Sequence, residues 1–433
     1  MYWDERIECM DRGCLREIQG QRLREMVQRC YDNVLHYHRA FENIGLHPQD
    51  IRSVDDLSKL PFTMKDDLRD NYPFGLFATC MEHVVRVHAS SGTTGKPIVV
   101  GYTRRDLDLW AEGIARTLSA GGVQPYDVIQ IAYGYGLFTG GLGLHYGAEK
   151  VGATVVPISG GNTKRQVALL TDFGATALAC TPSFALYMAE AIHEANLPPG
   201  ALKLKVGFFG AEPWSNAMRR DIEAKLNIKA LDIYGLSEII GPGVAYECPH
   251  QCGLHVVEDH FIPEIVNPET GEPLPPGATG ELVFTTVTKE AAPVIRYRTR
   301  DLSRLNVEKC ECGRTVARID RIMGRTDDML IIRGVNVFPS QVEAALLDVG
   351  YTEPHYQLVV DRAAGHMDSL EVWVEMSDVV FNDEIRRIED LERRICKEVS
   401  ATLGISVKVR LLEPRSIPRS EGKAKRVVDR REM

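Results

Sequence analysis

The chain has 433 residues, of which 44% are apolar and 26% are charged, a composition typical of a folded globular protein. Acidic residues outnumber basic ones by 60 to 51, and the net charge of −9 disfavours nucleic acid as a partner. The uncharged segment 128–148 contains six glycines, one histidine and three tyrosines, which make a poor membrane-spanning helix. Residues 1–12 lack the basic start and apolar run of a signal peptide. We therefore expect a cytoplasmic protein that does not enter a membrane.

The first predicted element is an amphipathic helix at residues 15–40, where apolar side chains recur near helical spacing. Between about residues 80 and 240, short apolar runs alternate with helical stretches. The predicted strands and helices of this region are 128–133, 153–158, 163–170, 183–195, 205–209 and 230–234. Such alternation predicts an α/β fold with a largely parallel sheet.

The sequence pattern changes twice in the C-terminal half of the chain. Residues 260–305 contain short segments separated by turns, such as PETGEPLPPGATG at 268–280, and predict a β-rich subdomain. Beyond Gly324 the pattern predicts a separate α+β unit, with elements at 329–332, 340–347, 369–376, 384–403 and 406–412. We therefore predict a large N-terminal domain, residues 1–326, and a small C-terminal domain, residues 327–433.

The most distinctive local motif is SSGTTGKP at residues 90–97. Small residues let backbone amides approach an anion, while hydroxyl groups and a lysine add donors and charge. It is not a Walker loop, because Pro97 follows the lysine and Ser90 stands where the first glycine should be. A surface turn remains the structural alternative. The predicted phosphate-binding residues are Ser90, Ser91, Gly92, Thr93, Thr94, Gly95 and Lys96.

This loop resembles the phosphate-binding signature of the adenylate-forming superfamily of acyl-CoA synthetases, luciferases and peptide-synthetase adenylation domains. Four further segments resemble motifs of that superfamily in the same order. They are DIYGLSE at 232–238, YRTRD at 297–301, GRTDD at 324–328 and PRSEGK at 418–423. The stretches YGYGLFTGGLGLHYG at 133–147 and FFGAEPWS at 208–215 make the phenylacetate–CoA ligase branch the closer resemblance.

The resemblance implies a large ATP-binding domain, a small mobile C-terminal domain and a two-step reaction. A carboxylate attacks the α-phosphate of ATP and forms an acyl-adenylate, and the thiol of coenzyme A then displaces AMP. The implied enzyme is an aryl-acid–CoA ligase, most simply for phenylacetate in aromatic-compound breakdown. Its partners would be the acid, ATP, Mg²⁺ and coenzyme A, and its assembly a homodimer.

The resemblance also assigns roles to individual residues. It implies Lys423, Glu238 and Lys96 as catalytic residues, with Glu238 as the Mg²⁺ ligand, because Mg²⁺ prefers oxygen donors shared with phosphates. Asp301 would accept hydrogen bonds from the ribose, and Asp327 would be the interdomain hinge. The other implied nucleotide-binding residues are Gly210, Ala211, Glu212, Pro213, Asp232, Tyr234, Gly235, Ser237 and Arg325.

The resemblance places the acyl pocket at residues 133–141, where aromatic rings alternate with glycines. Rings separated by glycines leave a flat apolar slot, which suits a ring-bearing acid better than a long chain. Ordinary core packing is the alternative for each ring. The candidate substrate residues are Tyr135, Phe138 and Gly140.

Two cysteine clusters, CPHQCGLH at 248–255 and CEC at 310–312, predict a structural zinc site. The second cluster supplies one pair of ligands, and the resemblance favours a cysteine and the histidine of Gly-Leu-His for the other. His250 or Cys252 are substitutes, and metal-free thiols remain open. The favoured zinc ligands are Cys248, His255, Cys310 and Cys312.

Two alternative functions remain open at the level of sequence. One is an enzyme that only adenylates, acting on another aryl acid or on a deazaflavin cofactor. The other is a zinc-ribbon regulatory protein with a vestigial nucleotide site. The presence of Lys96, Glu238, Asp301 and Lys423 argues against a decayed site.

Overall fold

The computed structural model describes residues 1–90, 97–198, 200–326, 330–332, 335–349, 352–361, 368–377, 381, 385–418 and 426–430. The chain divides into two compact units. Unit 1 comprises residues 1–180, 198–211 and 229–322, and unit 2 comprises 181–197, 212–228 and 323–433. The predicted domain boundary after residue 326 stays a prediction.

Four of the described helices of unit 1 begin at side-chain caps. At the start of the helix Arg104–Ala120, the Thr103 hydroxyl accepts from the Asp106 amide, and the Asp106 carboxylate accepts from the Thr103 amide. These helices are α1 Glu5–Glu8, α2 Arg12–Asn33, α3 Leu35–Asn43, α4 Lys65–Asp70, α5 Arg104–Ala120, α6 Thr139–Val151 and α7 Thr163–Asp172, with 3₁₀ turns at Pro48–Asp50, Val54–Lys59 and Met81–His83.

The single helix predicted at residues 15–40 is wrong at one position. Val34 has extended backbone angles, φ −120° and ψ 106°, and separates α2 from α3. Tyr37 and Phe41 on α3 are both buried. The break therefore lets the second helix bury its own aromatic side chains.

A nine-stranded sheet forms the centre of unit 1. Its order is β13-β14-β9-β8-β7-β6-β5-β3-β4. Strands β4, β3, β5, β6 and β7 run parallel, whereas β8, β9, β14 and β13 continue the sheet antiparallel. Its strands are β3 Val128–Ile131, β4 Thr154–Val156, β5 Ala177–Cys180, β6 Val206–Gly210, β7 Lys229–Leu236, β8 Gly241–Glu247, β9 Leu254–Val256, β13 Leu305–Asn306 and β14 Arg318–Ile319.

Two smaller antiparallel assemblies complete unit 1. The hairpin of β1, Arg86–Ala89, and β2, Val99–Tyr102, flanks the predicted phosphate loop. Three strands, β10 Phe261–Val266, β11 Gly280–Thr286 and β12 Tyr297–Ser303, form the predicted β-rich subdomain.

Unit 2 has the expected α+β character, with two parallel and one antiparallel pairing in the sheet β20-β19-β18-β21. Its described core includes Ile332, Val342, Leu358, Val372 and Ile395. Its helices and strands are α8 Pro182–Glu194, α9 Asn216–Leu226, α10 Pro339–Val349, α11 Ile385–Leu403, β15 Gly324–Arg325, β16 Leu330–Ile332, β17 Val335–Val337, β18 Thr352–Asp361, β19 Ser369–Met376, β20 Lys408–Leu412 and β21 Val427–Asp429.

None of the helices in the described ranges is long and apolar enough to cross a membrane.

Candidate active site and metal centre

The β1–β2 hairpin fixes both ends of the predicted phosphate loop. Ala89 lies opposite Val99, the Ser90 amide donates to the Ile98 carbonyl at 2.9 Å, and the Ile98 amide donates to Ser90 Oγ at 3.1 Å. The hairpin therefore determines where the loop leaves and re-enters the fold. The rest of the loop lies outside the described residues: Ser91, Gly92, Thr93, Thr94, Gly95 and Lys96.

The second predicted motif lies at the carboxyl end of β7, the last parallel strand of the main sheet. Ligands of open α/β sheets bind beyond such strand ends. Gly235 faces Gly241 on β8 so closely that a Cβ atom would collide with the Gly241 carbonyl, so only glycine fits there. Ser237 Oγ lies 3.1 Å from Thr139 Oγ1 at the start of α6. The motif is thus fixed between two elements.

Glu238 follows this motif and is 8% exposed. Within the described part of the chain, no side chain or backbone group donates a hydrogen bond to its carboxylate. Buried carboxylates are normally paired or bound to a metal. The residue therefore fits the role of a cation ligand.

A direct hydrogen bond connects the second motif with the third. The Tyr234 hydroxyl donates to Asp301 Oδ2 at 2.6 Å, and Asp301 is only 6% exposed. The neighbouring Arg298 instead binds Glu281, with Nε 3.1 Å from Oε2. The predicted ribose carboxylate is therefore held by the tyrosine of the adjacent motif.

The predicted adenine segment begins at the end of β6, beside β7. A Cβ atom on Gly210 would collide with the Ile233 carbonyl, and Ala211 has a left-handed backbone with φ 70°. Asp232 lies within β7, 3.3 Å from the Arg321 guanidinium, and its amide donates to Glu247. Asp232 is thus engaged inside the sheet.

The predicted residues of unit 2 are only partly described. Glu212 Oε1 accepts a hydrogen bond from the Ser183 amide at 2.8 Å. Pro213 follows it, and Arg325 belongs to the short strand β15. Asp327, the predicted hinge residue, and Lys423, the predicted catalytic lysine, lie outside the described residues.

The predicted acyl-pocket segment, residues 133–141, forms the turn before α6 and the first three residues of that helix. The Tyr135 hydroxyl lies 3.3 Å from His145 Nδ1, and His145 Nε2 lies 3.1 Å from Glu149. Burial raises the pKa of Tyr135, so the phenol is neutral. Phe138 is 38% exposed, and its ring lies against Gly140, where a Cβ atom would clash.

Other glycines of this segment serve helix packing. A Cβ atom on Gly143 would collide with the Trp110 ring, and one on Gly147 would collide with Ile114. Both partners lie on α5. The run of glycines thus lets α6 approach α5 closely.

The two cysteine clusters meet in unit 1, near β9 and β14. The candidate ligand atoms of the four favoured residues all lie within 4.8 Å of one another. The sulfur atoms of Cys248 and Cys310 are 3.9 Å apart, and Cys312 Sγ is 3.5 Å from His255 Nε2. Bond lengths of about 2.3 Å to sulfur and 2.05 Å to nitrogen give about 3.8 and 3.6 Å between tetrahedral ligands. The two distances, 3.9 and 3.5 Å, therefore match those between ligands of one zinc ion.

The substitutes lie at the edge of this group. Cys252 is exposed, lies 3.4 Å from Cys310 and accepts from Arg318 at 3.0 Å. His250 lies 3.2 Å from Glu311. Burial lowers the pKa of His255, which keeps the imidazole neutral, the form that binds a metal.

Two buried cations near these sites have no counterpart in the sequence predictions. Arg314, 1% exposed, donates to Glu8 at 2.6 Å and ties the cysteine-bearing loop to the N-terminal segment. Lys289, 2% exposed, lies behind Glu238. Neither residue belongs to a motif, so only the fold reveals them.

Comparison with known proteins agrees with this geometry. A family model of AMP-binding enzymes matches residues 51–288, and the model of the AMP-binding enzyme C-terminal domain matches residues 334–431. The first match covers more than half of the chain. The chain therefore belongs to the AMP-binding enzyme family, and the resemblance drawn from the sequence motifs is confirmed.

Individual relatives define the reaction class. Phenylacetate-coenzyme A ligase of Thermus thermophilus is 51% identical over 100% of both chains, and that of Escherichia coli K12 is 53% identical over 97% of this chain and 95% of its own. A crystal structure of 2-hydroxyisobutyryl-CoA ligase with an acyl-AMP superposes with a TM-score of 0.93 at 29% identity, covering 99% of this chain and 92% of that one. The protein is an ATP-dependent acid–CoA ligase.

Proposed function

We propose that this ligase activates phenylacetate and releases phenylacetyl-CoA, AMP and diphosphate. The observation that carries the choice of acid is the identity of 51–53% to enzymes named phenylacetate-coenzyme A ligase over nearly the whole chain. The glycine-rich turn that carries Tyr135 and Phe138 supports a ring-shaped acyl group.

In the first half-reaction, a carboxylate oxygen bonds to the α-phosphorus and the bond to the diphosphate breaks. The protein's task is to position the reactants and to stabilise negative charge. Asp301, held by Tyr234, is proposed to orient the ribose, and Gly210 and Ala211 to border the adenine. Lys96 and Lys423, together with the other residues of the phosphate loop, are proposed to stabilise the phosphate charge.

In the second half-reaction, the thiol sulfur of coenzyme A bonds to the acyl carbon, the bond to AMP breaks, and the thiol loses its proton. AMP is a good leaving group, so no further activation of the acid is required. We propose that the segment at Asp327 changes its backbone conformation between the two half-reactions, as hinge residues do.

Two metals fit residues of the described chain. Glu238 is proposed to hold Mg²⁺, which supplies charge stabilisation at the phosphates when bound. Cys248, His255, Cys310 and Cys312 are proposed to hold a structural zinc ion, because their separations match a closed tetrahedral site. The homodimer inferred from the resemblance stays a prediction.

The test is release of diphosphate over a panel of acids, measured with and without coenzyme A. The panel includes phenylacetate, hydroxyphenylacetate, benzoate derivatives, indoleacetate and short alkyl acids. Phenylacetate is expected to give the highest kcat/KM, and AMP is expected to be released in quantity only when coenzyme A is present. A clearly higher kcat/KM for an alkyl acid would refute the proposed substrate class.

A further inference from the structure

The backbone that carries Glu238 is held from behind by a buried lysine. Lys289 Nζ donates to the Ile239 carbonyl at 2.7 Å and lies 3.5 Å from the Glu238 carbonyl. The same ammonium lies 5.3 Å from the centre of the Tyr102 ring. Lys289 therefore contacts the main chain of the candidate Mg²⁺ ligand without belonging to any nucleotide motif.

Two further side chains hold the residues that follow. The Tyr102 hydroxyl donates to the Ile240 carbonyl at 2.9 Å, and Trp110 Nε1 donates to the Pro242 carbonyl at 2.8 Å. Together with the lysine, they give buried donors to the carbonyls of residues 238, 239, 240 and 242. Three side chains thus hold the segment, and of the side chains in the described part of the chain only the lysine donates to its first two carbonyls.

The buried position of Lys289 is energetically unfavourable for a charged side chain. It is 2% exposed, and among the described residues no carboxylate lies within 4.0 Å of its nitrogen. Burial lowers its pKa to about 8, although the more distant Asp106 and Glu238 carboxylates oppose the shift. A buried lysine without a close counter-ion destabilises the folded state.

The position of Lys289 is itself fixed. The Asp106 carboxylate accepts hydrogen bonds from the amides of Glu290 at 2.7 Å and Ala291 at 2.9 Å. Asp106 is fully buried in the first turn of α5. The lysine therefore extends from a rigid turn towards the backbone at Glu238.

We propose that Lys289 is a positioning residue for adenylation, which fixes the backbone at residues 238–239 so that the Glu238 carboxylate faces Mg²⁺ and the phosphates. No described residue donates to that carboxylate, so the backbone held by Lys289 is the part of Glu238 that the described contacts fix. The inference rests on the proposed role of Glu238.

A double-mutant cycle tests this inference. The variants are Lys289→Met, Glu238→Gln and the pair together, each measured in diphosphate release and in thioester formation from a supplied aryl-adenylate. Lys289→Met is expected to slow diphosphate release about 10²-fold and to change thioester formation less than about 3-fold. In the Glu238→Gln background, Lys289→Met is expected to slow diphosphate release by a further factor of less than about 2.

The matched control is Lys205→Met, whose side chain is 67% exposed, and it is expected to leave both rates unchanged. A purely structural role would slow both half-reactions alike or give additive losses in the double variant, and either result overturns the inference. If Lys289→Met does not fold, Lys289→Gln is carried through the same cycle, with the same two criteria.

The cycle also separates this inference from the proposed function. A wild-type protein without acid-dependent diphosphate release refutes the function itself. A Glu238→Gln variant that adenylates at the wild-type rate refutes the role of Glu238 and the inference about Lys289 with it. If the wild type is active and Glu238→Gln is slow, the Lys289 variants test the inference about Lys289 by themselves.

Discussion

The Tyr234 hydroxyl and the Asp301 carboxylate are joined by a hydrogen bond of 2.6 Å, although they lie 67 residues apart. Tyr234 stands at the end of β7 in the main sheet, and Asp301 stands on β12 in the smaller sheet. The bond therefore couples the two sheets at the position proposed for the nucleotide.

We predict that Tyr234→Phe raises the KM for ATP about 5- to 10-fold and changes kcat less. A typical hydrogen bond contributes about 0.5–1.5 kcal/mol net, and a loss of about 1–1.4 kcal/mol corresponds to about 5- to 10-fold in affinity. The measurement is the ATP dependence of diphosphate release. Tyr126→Phe is the control, since that ring is 78% exposed. A fall in kcat at constant KM would show that Asp301 does not depend on Tyr234.

Much of the fold follows from local sequence. The strand predicted at 369–376 is found at Ser369–Met376, and that predicted at 128–133 is found at Val128–Ile131. The first alternates apolar and polar side chains, and the second is a short, mostly apolar run that leads into a turn. Pattern alone is sufficient there, because their burial is set by their own side chains.

The antiparallel half of the main sheet could not be predicted in the same way. β8 has the sequence GPGVAYE, in which two glycines and a proline argue against a strand. Its place depends on β7 and β9, with which it pairs on both sides. Such pairings are decided by tertiary contacts that a local pattern does not contain.

The residues of the candidate site, too, could be predicted from the sequence only in part. Residues with a recognisable motif, such as Tyr234 and Glu238, could be predicted. Lys289 and Arg314 could not, because isolated cations in a sequence indicate solvent-exposed side chains. Arg314 is buried together with its partner Glu8, which lies 306 residues away in the sequence. Only the folded chain brings such partners together.

The cysteine centre gives the second prediction, which concerns metal content. Protein purified without chelators is expected to contain about one zinc ion per chain, the content of a closed four-ligand site. Cys312→Ser is expected to lose most of the zinc and to lower the melting temperature by several degrees, because metal binding contributes to folding. Its affinity for ATP is expected to change little. The measurements are elemental analysis and thermal unfolding.

Cys252 supplies the matched control, because its sulfur lies 3.4 Å from Cys310 but outside the four-residue group. Cys252→Ser is expected to retain the zinc. Loss of metal in Cys252→Ser with retention in Cys248→Ser would assign the fourth ligand to Cys252. Absence of zinc in the wild-type protein would remove the metal centre altogether.

The third prediction concerns the proposed hinge at Asp327, which lies outside the described residues. Proline fixes φ near −65° and removes the amide donor, so Asp327→Pro restricts the backbone change proposed between the half-reactions. Thioester formation is expected to slow about 10-fold more than diphosphate release. Asp327→Ala, which keeps φ free, is expected to slow neither step by much. Equal losses of both steps in the proline variant would contradict the hinge assignment.

The fourth prediction concerns Lys423, which also lies outside the described residues, in the segment EGKAK at 421–425. The resemblance selects Lys423 over Lys425 by the spacing of Pro-Arg-Ser-x-Gly-Lys. An ammonium near the α-phosphate stabilises charge that develops as the adenylate forms, an effect of roughly 10²- to 10³-fold in rate. The residue after this segment, Arg426, lies 3.7 Å from the buried Glu343 and 4.3 Å from the Tyr356 ring.

Lys423→Ala is therefore expected to slow diphosphate release by that factor and to leave thioester formation from a supplied aryl-adenylate nearly unchanged. Lys425→Ala has the same loss of charge two residues away and is expected to affect neither step. Since Arg426 anchors the C-terminal end of the segment in both variants, a difference between them reports on the individual lysine. Equal slowing of the two steps by Lys423→Ala, or a block of adenylation by Lys425→Ala, would show that the catalytic lysine is assigned wrongly.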